Sequence, residues 1–567
     1  MSRPWLDHYA KGVPHHVDHR VACLHELLPE SAAKYPERDA IAFAVPAAGR
    51  LFTSSMSYAR LHGLVERFAA GLQRLGIAKG DRVALHLPNC PQFVIAYLAA
   101  QRVGAIAVPF NPLYSAREVE YQLADCGAKL VVTLTSFFPL IKKVQAQTGL
   151  VHVVVAGIKE YFPPALWLLY SLTKGRKEPR VRLGAGDHRF GALLGPGAPT
   201  PVSVNEEETA VLLYTGGTTG VSKGVELSHR NLVYNAEQCR AWAGMGAGTE
   251  SILVALPMFH AFGLTCGLNL GMHTGATLVL FPNPAETRGL VETIQRLRPT
   301  VFPVVPTLLV SMSNLPGIEG YALGSVRVCP CAGSALAPAV QQAFIEKTGI
   351  RPNEGYGLTE AAPVTHGNPP GGENRHGTIG LPYPDVDARI VDPDTGVEVG
   401  FDGDWTRPGE LQVRGPQVMK GYWNRPEATA EQLCDGWLRT GDLVQMHRDG
   451  YFRIVDRLKD LIIRGGLNVY PAEVEALLYD HPAVLEALVI GVPDVKLGEQ
   501  VKAFVVPRPG RAVTEEELIA HCREGLARYK VPSAIEVRSS LPRSAVGKPL
   551  RRKLREELAA ERARKAA

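Results

Sequence analysis

No apolar run in this chain is long enough to cross a bilayer. The most apolar stretch outside a regular pattern, YFPPALWLLYSL at 161–172, falls short of the roughly 20 residues that a span requires. At most it lies on a membrane surface. The first residues, MSRPWLDHYAKGVPHH, lack the basic start and continuous apolar stretch of a secretory signal, so export is not expected and a cytoplasmic location is. Cysteine is scarce and unpaired. There are nine, an odd number, and Cys329 and Cys331 have no second close pair to complete a zinc site. Reduced thiols are therefore expected instead of a disulfide framework or a structural metal. An excess of one charge is also missing: 61 basic residues stand against 56 acidic, a net +5. That balance argues against nucleic acid as a partner and leaves room for a small acidic ligand.

What is present is enough apolar material for more than one core: 567 residues, 46% apolar and 21% charged. From Asp81, β-rich runs (RVALHLPN, AIAVPFN, AKLVVTLTS, VHVVVAG) alternate with helix-like segments (FVIAYLAAQRVG, SAREVEYQLADCG). That alternation predicts α/β layers. A second series begins near Thr209 with AVLLYTGG, SILVALPMFH, ATLVLFPN and TVFPVVPTLL, which suggests two related α/β subdomains. Residues 158–200 break the rhythm with prolines and basic residues and read as a surface excursion. After residue 456 comes a stretch of about 110 residues with its own strands and helices, long enough for an independent small domain.

The segment VLLYTGGTTGVSKGVELSH at 211–229 runs from a buried strand into a loop of glycines, threonines and a lysine. Such a loop suits a polyanion, because glycines let backbone N–H groups surround phosphate oxygens, hydroxyls add donors and Lys223 adds a point charge. Lys223 follows Gly220 by three residues, so the usual P-loop is excluded. Alone, the loop reads equally well as a Gly-rich turn.

The order of later segments decides. TGGTTGVSKG, EGYGLTEAAPV (354–364), GELQVRGPQVMKGYWNRPE (409–427), GWLRTGDL (436–443), VDRLKDLIIRGGLNVYPAEVE (455–475) and PRSAVGKPLRRKL (542–554) resemble, in the same order, the motifs of the adenylate-forming acyl-CoA synthetase superfamily. The resemblance runs from about residue 25 to 555. Details such as GPQVMKGYW and WLDHYAKGVP are similar to bacterial long-chain fatty-acid CoA ligases. It implies an α/β fold: a large multi-subdomain N-terminal adenylation domain (1–456) and a small mobile α+β C-terminal domain (457–567). It also implies ATP, Mg2+ and coenzyme A, with a medium- or long-chain fatty acid activated as acyl-AMP and passed to the thiol.

The same resemblance assigns roles. Thr215, Gly216, Gly217, Thr218, Thr219, Gly220 and Lys223 hold phosphates. Gly333 and Ser334, in CAGSALAP, and Glu354, Gly355, Tyr356 and Gly357 lie along the adenine. Thr359 bonds a phosphate, and Glu360 with Thr215 holds magnesium. Asp442 accepts from the ribose hydroxyls; by itself an Asp after glycine is usually a turn former. Arg457 donates to ribose or phosphate, Lys459 is the hinge, and Gly465 and Gly466 let the pantetheine arm pass. Lys548, otherwise one cation among many, bridges carboxylate and α-phosphate. His260, in LPMFHAFGL, positions the acid or caps a helix, and Gly263 and Gly267 border an apolar tunnel. Ser222 and Arg464 depart from the family's usual residues. The alternatives are a ligase that loads a carrier protein, a luciferase-like oxygenase, and a non-catalytic fatty-acid-binding relative. Peripheral membrane contact around 158–185 and a homodimer complete the expectations.

Overall fold

The computed structural model describes residues 3–18, 21–215, 222–465, 467–494, 496–543 and 550–566. The chain separates into two compact units, one comprising Arg3–Asp387 with Arg414–Leu438, the other Ala388–Val413 with Arg439–Ala567.

The first unit is built on an eight-stranded sheet. Its order runs Gly421–Tyr422, Lys223–Ser228, Thr209–Thr215, Ile106–Pro109, Arg82–His86, Leu130–Leu134, His152–Ala156, Asp187–Arg189. Pairing is parallel from Thr209–Thr215 to Asp187–Arg189 and antiparallel on the other side of Thr209–Thr215. Strands such as Leu130–Leu134 are buried throughout, as a parallel sheet covered on both faces requires. The helix Pro91–Arg102 is buried on nearly every residue. Asn89, just before it, donates through Nδ2 to Val254 O and Leu256 O, each at 2.9 Å, tying it to a second sheet.

That second sheet has the order Ser251–Val254, Thr277–Leu280, Asp39–Ala47, Arg50–Ser57. Parallel bridges Ile252 to Val301, Val301 to Val328 and Val304 to Cys331 lead on to a third, containing Cys329–Cys331, Pro352–Gly357, Val364–Gly367 and Leu381–Pro382. Here the expected grouping is corrected. AVLLYTGG does not open the second series; it forms Thr209–Thr215, inside the first sheet beside Ile106–Pro109. The second sheet instead recruits two strands from near residue 50. Burial decides parallel pairing, whatever the chain order.

Residues 158–200 are only partly an excursion. After the helix Pro164–Leu172, the strand Asp187–Arg189 returns to the sheet edge, and Phe190 is buried with its ring 4.6 Å from that of Phe68.

The second unit holds the strand Phe452–Arg457 and most of Gly409–Arg414 and Trp437–Met446, which belong to one sheet. Another contains Ile462–Arg464, Leu467–Val469, Val484–Asp494, Gly498–Pro507 and Ala534–Val537. Ile462, Val474, Leu478, Val489, Ala503 and Leu518 form a core of their own there. The helix Arg551–Ala566 is pinned to this sheet by Arg551, which makes two bonds to Glu475 at 2.6 and 2.8 Å and one to Asp460 at 3.2 Å.

Candidate active site

In the first unit, Thr215 ends one strand, Lys223 begins the next, and the two are direct cross-strand partners. The hairpin therefore brings the ends of the glycine loop together; Gly216, Gly217, Thr218, Thr219 and Gly220 lie outside the described residues. Ser222 donates its hydroxyl to Thr215 O at 2.6 Å, so the unusual residue closes the hairpin.

Glu360 sits in the single turn Thr359–Ala361. Its carbonyl accepts the N–H of Met419 at 2.8 Å, and its Oε1 accepts the hydroxyl of Tyr422 at 2.8 Å. The ammonium of Lys223 lies 4.8 Å from the centre of the Tyr422 ring. Tyr422 thus touches the expected magnesium carboxylate with its edge and the expected phosphate lysine with its face. Burial and the adjoining Glu360 carboxylate push its phenol up, which keeps it a donor. The backbone supports this: Tyr422 pairs with Val225, Trp423 N–H donates to Gly224 O, and Lys420 N–H donates to Glu226 O. Sequence reasoning passed over Tyr422. The available signal was an aromatic hydroxyl in the motif GPQVMKGYW, whose partner lies 62 residues away. A carboxylate held through one oxygen offers a second hard oxygen, so Glu360 fits a magnesium ion.

Glu354 and Tyr356 lie on the strand Pro352–Gly357, which pairs in parallel with Cys329–Cys331. Gly333, at φ +94°, and Ser334 lie in the loop that follows. Leu336 N–H donates to Glu354 Oε1 at 3.0 Å, latching that loop to the strand. The other oxygen of Glu354 is buried with no partner among the described residues. Burial pushes this carboxyl up to about 7, opposed by the Leu336 bond. Tyr356 is buried, its ring edge-on to His366 at 6.0 Å. Gly355 and Gly357 are imposed by close packing: a Cβ would stand 3.1 Å from His366 O in the first case and 2.1 Å from Pro363 O in the second.

His260 caps the short helix Ala261–Gly263, its ring nitrogen accepting from Phe262 N–H at 3.5 Å. The helix continues through a π-helical stretch, Leu264–Asn269. Thr265 donates to Ala362 O at 2.6 Å and joins this helix to the Glu360 turn. Gly263 packs on backbone, where a Cβ would meet Pro257 O at 2.2 Å, whereas Gly267 faces the Val254 side chain at 3.2 Å.

In the second unit, Asp442 and Arg457 are cross-strand partners, and Arg457 Nε lies 3.0 Å from Asp442 Oδ1. Asp456 accepts from the N–H groups of Arg457 and Ala472, and Asp460 pairs with Arg551 and Arg555. Lys459 is exposed in the turn Leu458–Asp460. Gly465, at φ +59°, donates to Leu497 O at 2.7 Å. Arg464, the bulkier departure, bonds Tyr529 O at 2.8 Å and Val531 O at 3.1 Å, holding the strand before the glycines. Gly466 and Lys548 lie outside the described residues.

The model of the AMP-binding enzyme family matches residues 28–423, and that of the AMP-binding enzyme C-terminal domain matches 473–548. This chain belongs to the AMP-binding enzyme family. The enzyme is 42% identical to a long-chain-fatty-acid–CoA ligase of Bacillus subtilis (strain 168), over 98% of both chains. It is 38% identical to the ligase of the same name from Escherichia coli O157:H7, again over 98% of each. Among solved structures it is similar to ATP-bound MatB of Rhodopseudomonas palustris, with TM-score 0.82 and 30% identity over 94% of this chain and 98% of that one. The anthranilate CoA ligase AuaEII with anthranoyl-AMP matches equally, at TM-score 0.82 and 28% identity over 97% and 99%.

Proposed function

We propose that this AMP-binding enzyme is a fatty-acid CoA ligase, joining a medium- or long-chain acid to ATP as acyl-AMP and then transferring the acyl group to coenzyme A. The observation that carries the reading is the Lys223, Tyr422 and Glu360 cluster beside the hairpin of the glycine loop. It sets a cation for phosphates and a carboxylate for magnesium on one rigid aromatic spacer. Magnesium supplies charge neutralisation on the triphosphate, and Glu360 with Thr215 would hold it.

The chain's own residues do the rest. The glycine loop, Thr359 and Lys223 bind phosphate oxygens. The Gly333 and Ser334 loop and the Glu354 to Gly357 strand flank the adenine. Asp442 shares its oxygens between Arg457 and the ribose hydroxyls, which fixes the sugar. Lys548 stabilises charge that grows at the α-phosphate as pyrophosphate leaves. The segment 457–567 then turns about Lys459, and Gly465 and Gly466 admit the thiol arm. His260 stands at the acid's carboxylate end, with Gly267 along the acyl tunnel, whereas the backbone of residues 256–257 fills the space at Gly263. The enzyme works in the cytoplasm, peripherally on membrane, as a homodimer.

The test is pyrophosphate release across a panel of acids from acetate to eicosanoate, with and without coenzyme A, together with thioester formation. Release that peaks at medium or long chains and acyl-CoA as product support the reading. Acyl-AMP that accumulates beside coenzyme A and clears only with a carrier protein would replace it, and absence of turnover would make the chain a binding protein.

A further inference from the structure

The helix Pro164–Leu172 has no part in the chemistry above, and its outer face is apolar. Leu168 and Leu172 are 54% and 52% exposed, Trp167 is 46% exposed, and Leu183 is 43% exposed just beyond. Ala165, Leu168 and Leu172, spaced three and four apart, share one face, with Trp167 on its flank. The opposite side is anchored. Leu166 is buried, Tyr170 packs edge-on to Phe162 at 5.5 Å, and Phe162 lies 5.9 Å from Phe43 of the second sheet. At the base of the segment, Ser54 donates to Tyr161 O at 2.6 Å. Trp167 is therefore displayed on a fixed support, while the chain's other five tryptophans are buried or half-buried.

The rim of this face is positive. Lys174, Arg176, Lys177, Arg180 and Arg182 are all exposed. Lys159 lies 5.1 Å from the Trp167 ring and bonds the Ser171 hydroxyl at 3.2 Å. The two acids of the segment are engaged locally: Glu178 accepts from the Tyr170 hydroxyl at 2.8 Å, and Glu160 accepts from Gly157 N–H at 2.8 Å and Gln92 at 3.3 Å. A tryptophan and leucines followed directly by five exposed cations with no ion pair among the described residues is the chemistry of an interfacial helix.

We propose that the segment 164–183 docks this chain on an anionic lipid bilayer, its leucines and Trp167 entering the interface and its basic rim meeting lipid phosphates. A folded protein partner would need shape complementarity over roughly 800 Å² per side, which a nine-residue helix does not supply. A bilayer needs only depth and charge. Among the described residues no helix is long and apolar enough to cross a membrane, so the attachment is peripheral. The inference gives the expected membrane contact a surface and a lipid class, and it does not depend on the catalytic assignment.

The full chain is sedimented with vesicles of phosphatidylcholine alone or mixed with phosphatidylglycerol, at low and high salt, and separately with vesicles of brominated lipid. Binding to the anionic vesicles, weakened by salt, is expected. Changing Lys174, Arg176 and Lys177 to Gln should lower the partition constant by roughly a hundredfold, about fivefold for each of the three charges. Leu168→Ser with Leu172→Ser should abolish insertion, and brominated lipid should quench Trp167, judged against Trp167→Phe. These positions are exposed, and an unchanged circular dichroism spectrum confirms folding. Equal binding by wild type and variants overturns the proposal, as does failure to bind anionic vesicles. Wild type that dimerises through this face, with monomeric leucine variants and no vesicle binding, would also overturn it. Sedimentation needs no turnover, so inactivity with every acid leaves this result standing.

Discussion

Tyr422 shows how much a single hydroxyl can matter to a metal-dependent site. It donates to Glu360 and lies under Lys223, so its loss changes the carboxylate's orientation without removing any charge. Tyr422→Phe should keep the fold and raise the magnesium concentration for half-maximal pyrophosphate release by about tenfold, the scale of one hydrogen bond to a charged group. A magnesium titration of both proteins decides this, and superimposable curves would reduce Tyr422 to packing. Glu354 makes a second prediction. Burial raises its carboxyl from 4.5 to about 7, so the folded chain holds a proton that the unfolded chain has lost. Its contribution to stability is complete below about 4.5 and is lost as pH rises through about 7. Glu354→Gln should remove that loss, at most about 1.4 kcal/mol per pH unit across the window. Thermal unfolding of both proteins over this range checks it, and parallel curves would contradict it.

At the scale of elements, the helix that starts at Ala261 is linked through Thr265 to the Glu360 turn, so the proposed acid and metal positions are mechanically joined. The glycines on this helix answer to different neighbours. A side chain at Gly263 would collide with the carbonyl of Pro257, whereas Gly267 meets only the Val254 side chain. Gly263→Leu should therefore lower the melting temperature and cost about 3 kcal/mol or more, with no clean change of acid preference. Gly267→Ala should fold and move the preferred acid toward shorter chains. The check is a chain-length profile beside a melting curve for each variant. A stable Gly263→Leu enzyme would mean that backbone at 256–257 yields, and an unchanged profile for Gly267→Ala would place the tunnel elsewhere.

At the scale of the whole molecule, the proposed cycle asks one small domain to present two faces to one substrate. Lys548→Ala should lose adenylation by a few powers of ten, the scale of removing a donor to transition-state charge, while thioester formation from supplied acyl-AMP survives. Lys459→Pro, which fixes φ at the proposed hinge, should do the reverse. The measurement is a pair of single-turnover experiments on each variant, following pyrophosphate and following acyl-CoA made from synthetic acyl-AMP. Equal slowing of both steps in both variants would remove the rotation.

Family, cofactors and the order of the motifs were legible in the sequence, because turn glycines, caps and charged positions carry their chemistry locally. The strand Thr209–Thr215 was legible as a strand but not as a member of the first sheet, since parallel partners are chosen by shared burial across long loops. TGGTTG and EGYGLTE carried the expectation of phosphate and metal chemistry, yet the hydroxyl that bonds Glu360 comes from a strand pair formed only after Gly421–Tyr422 joins Lys223–Ser228. Gly263 looked like room for an acyl chain because a missing side chain reads as space; whether neighbouring backbone fills that space is decided by packing. Trp167 and Leu168 read as a short apolar run in the sequence, and only the anchored inner face, with Leu166 buried, determined which side chains stay exposed.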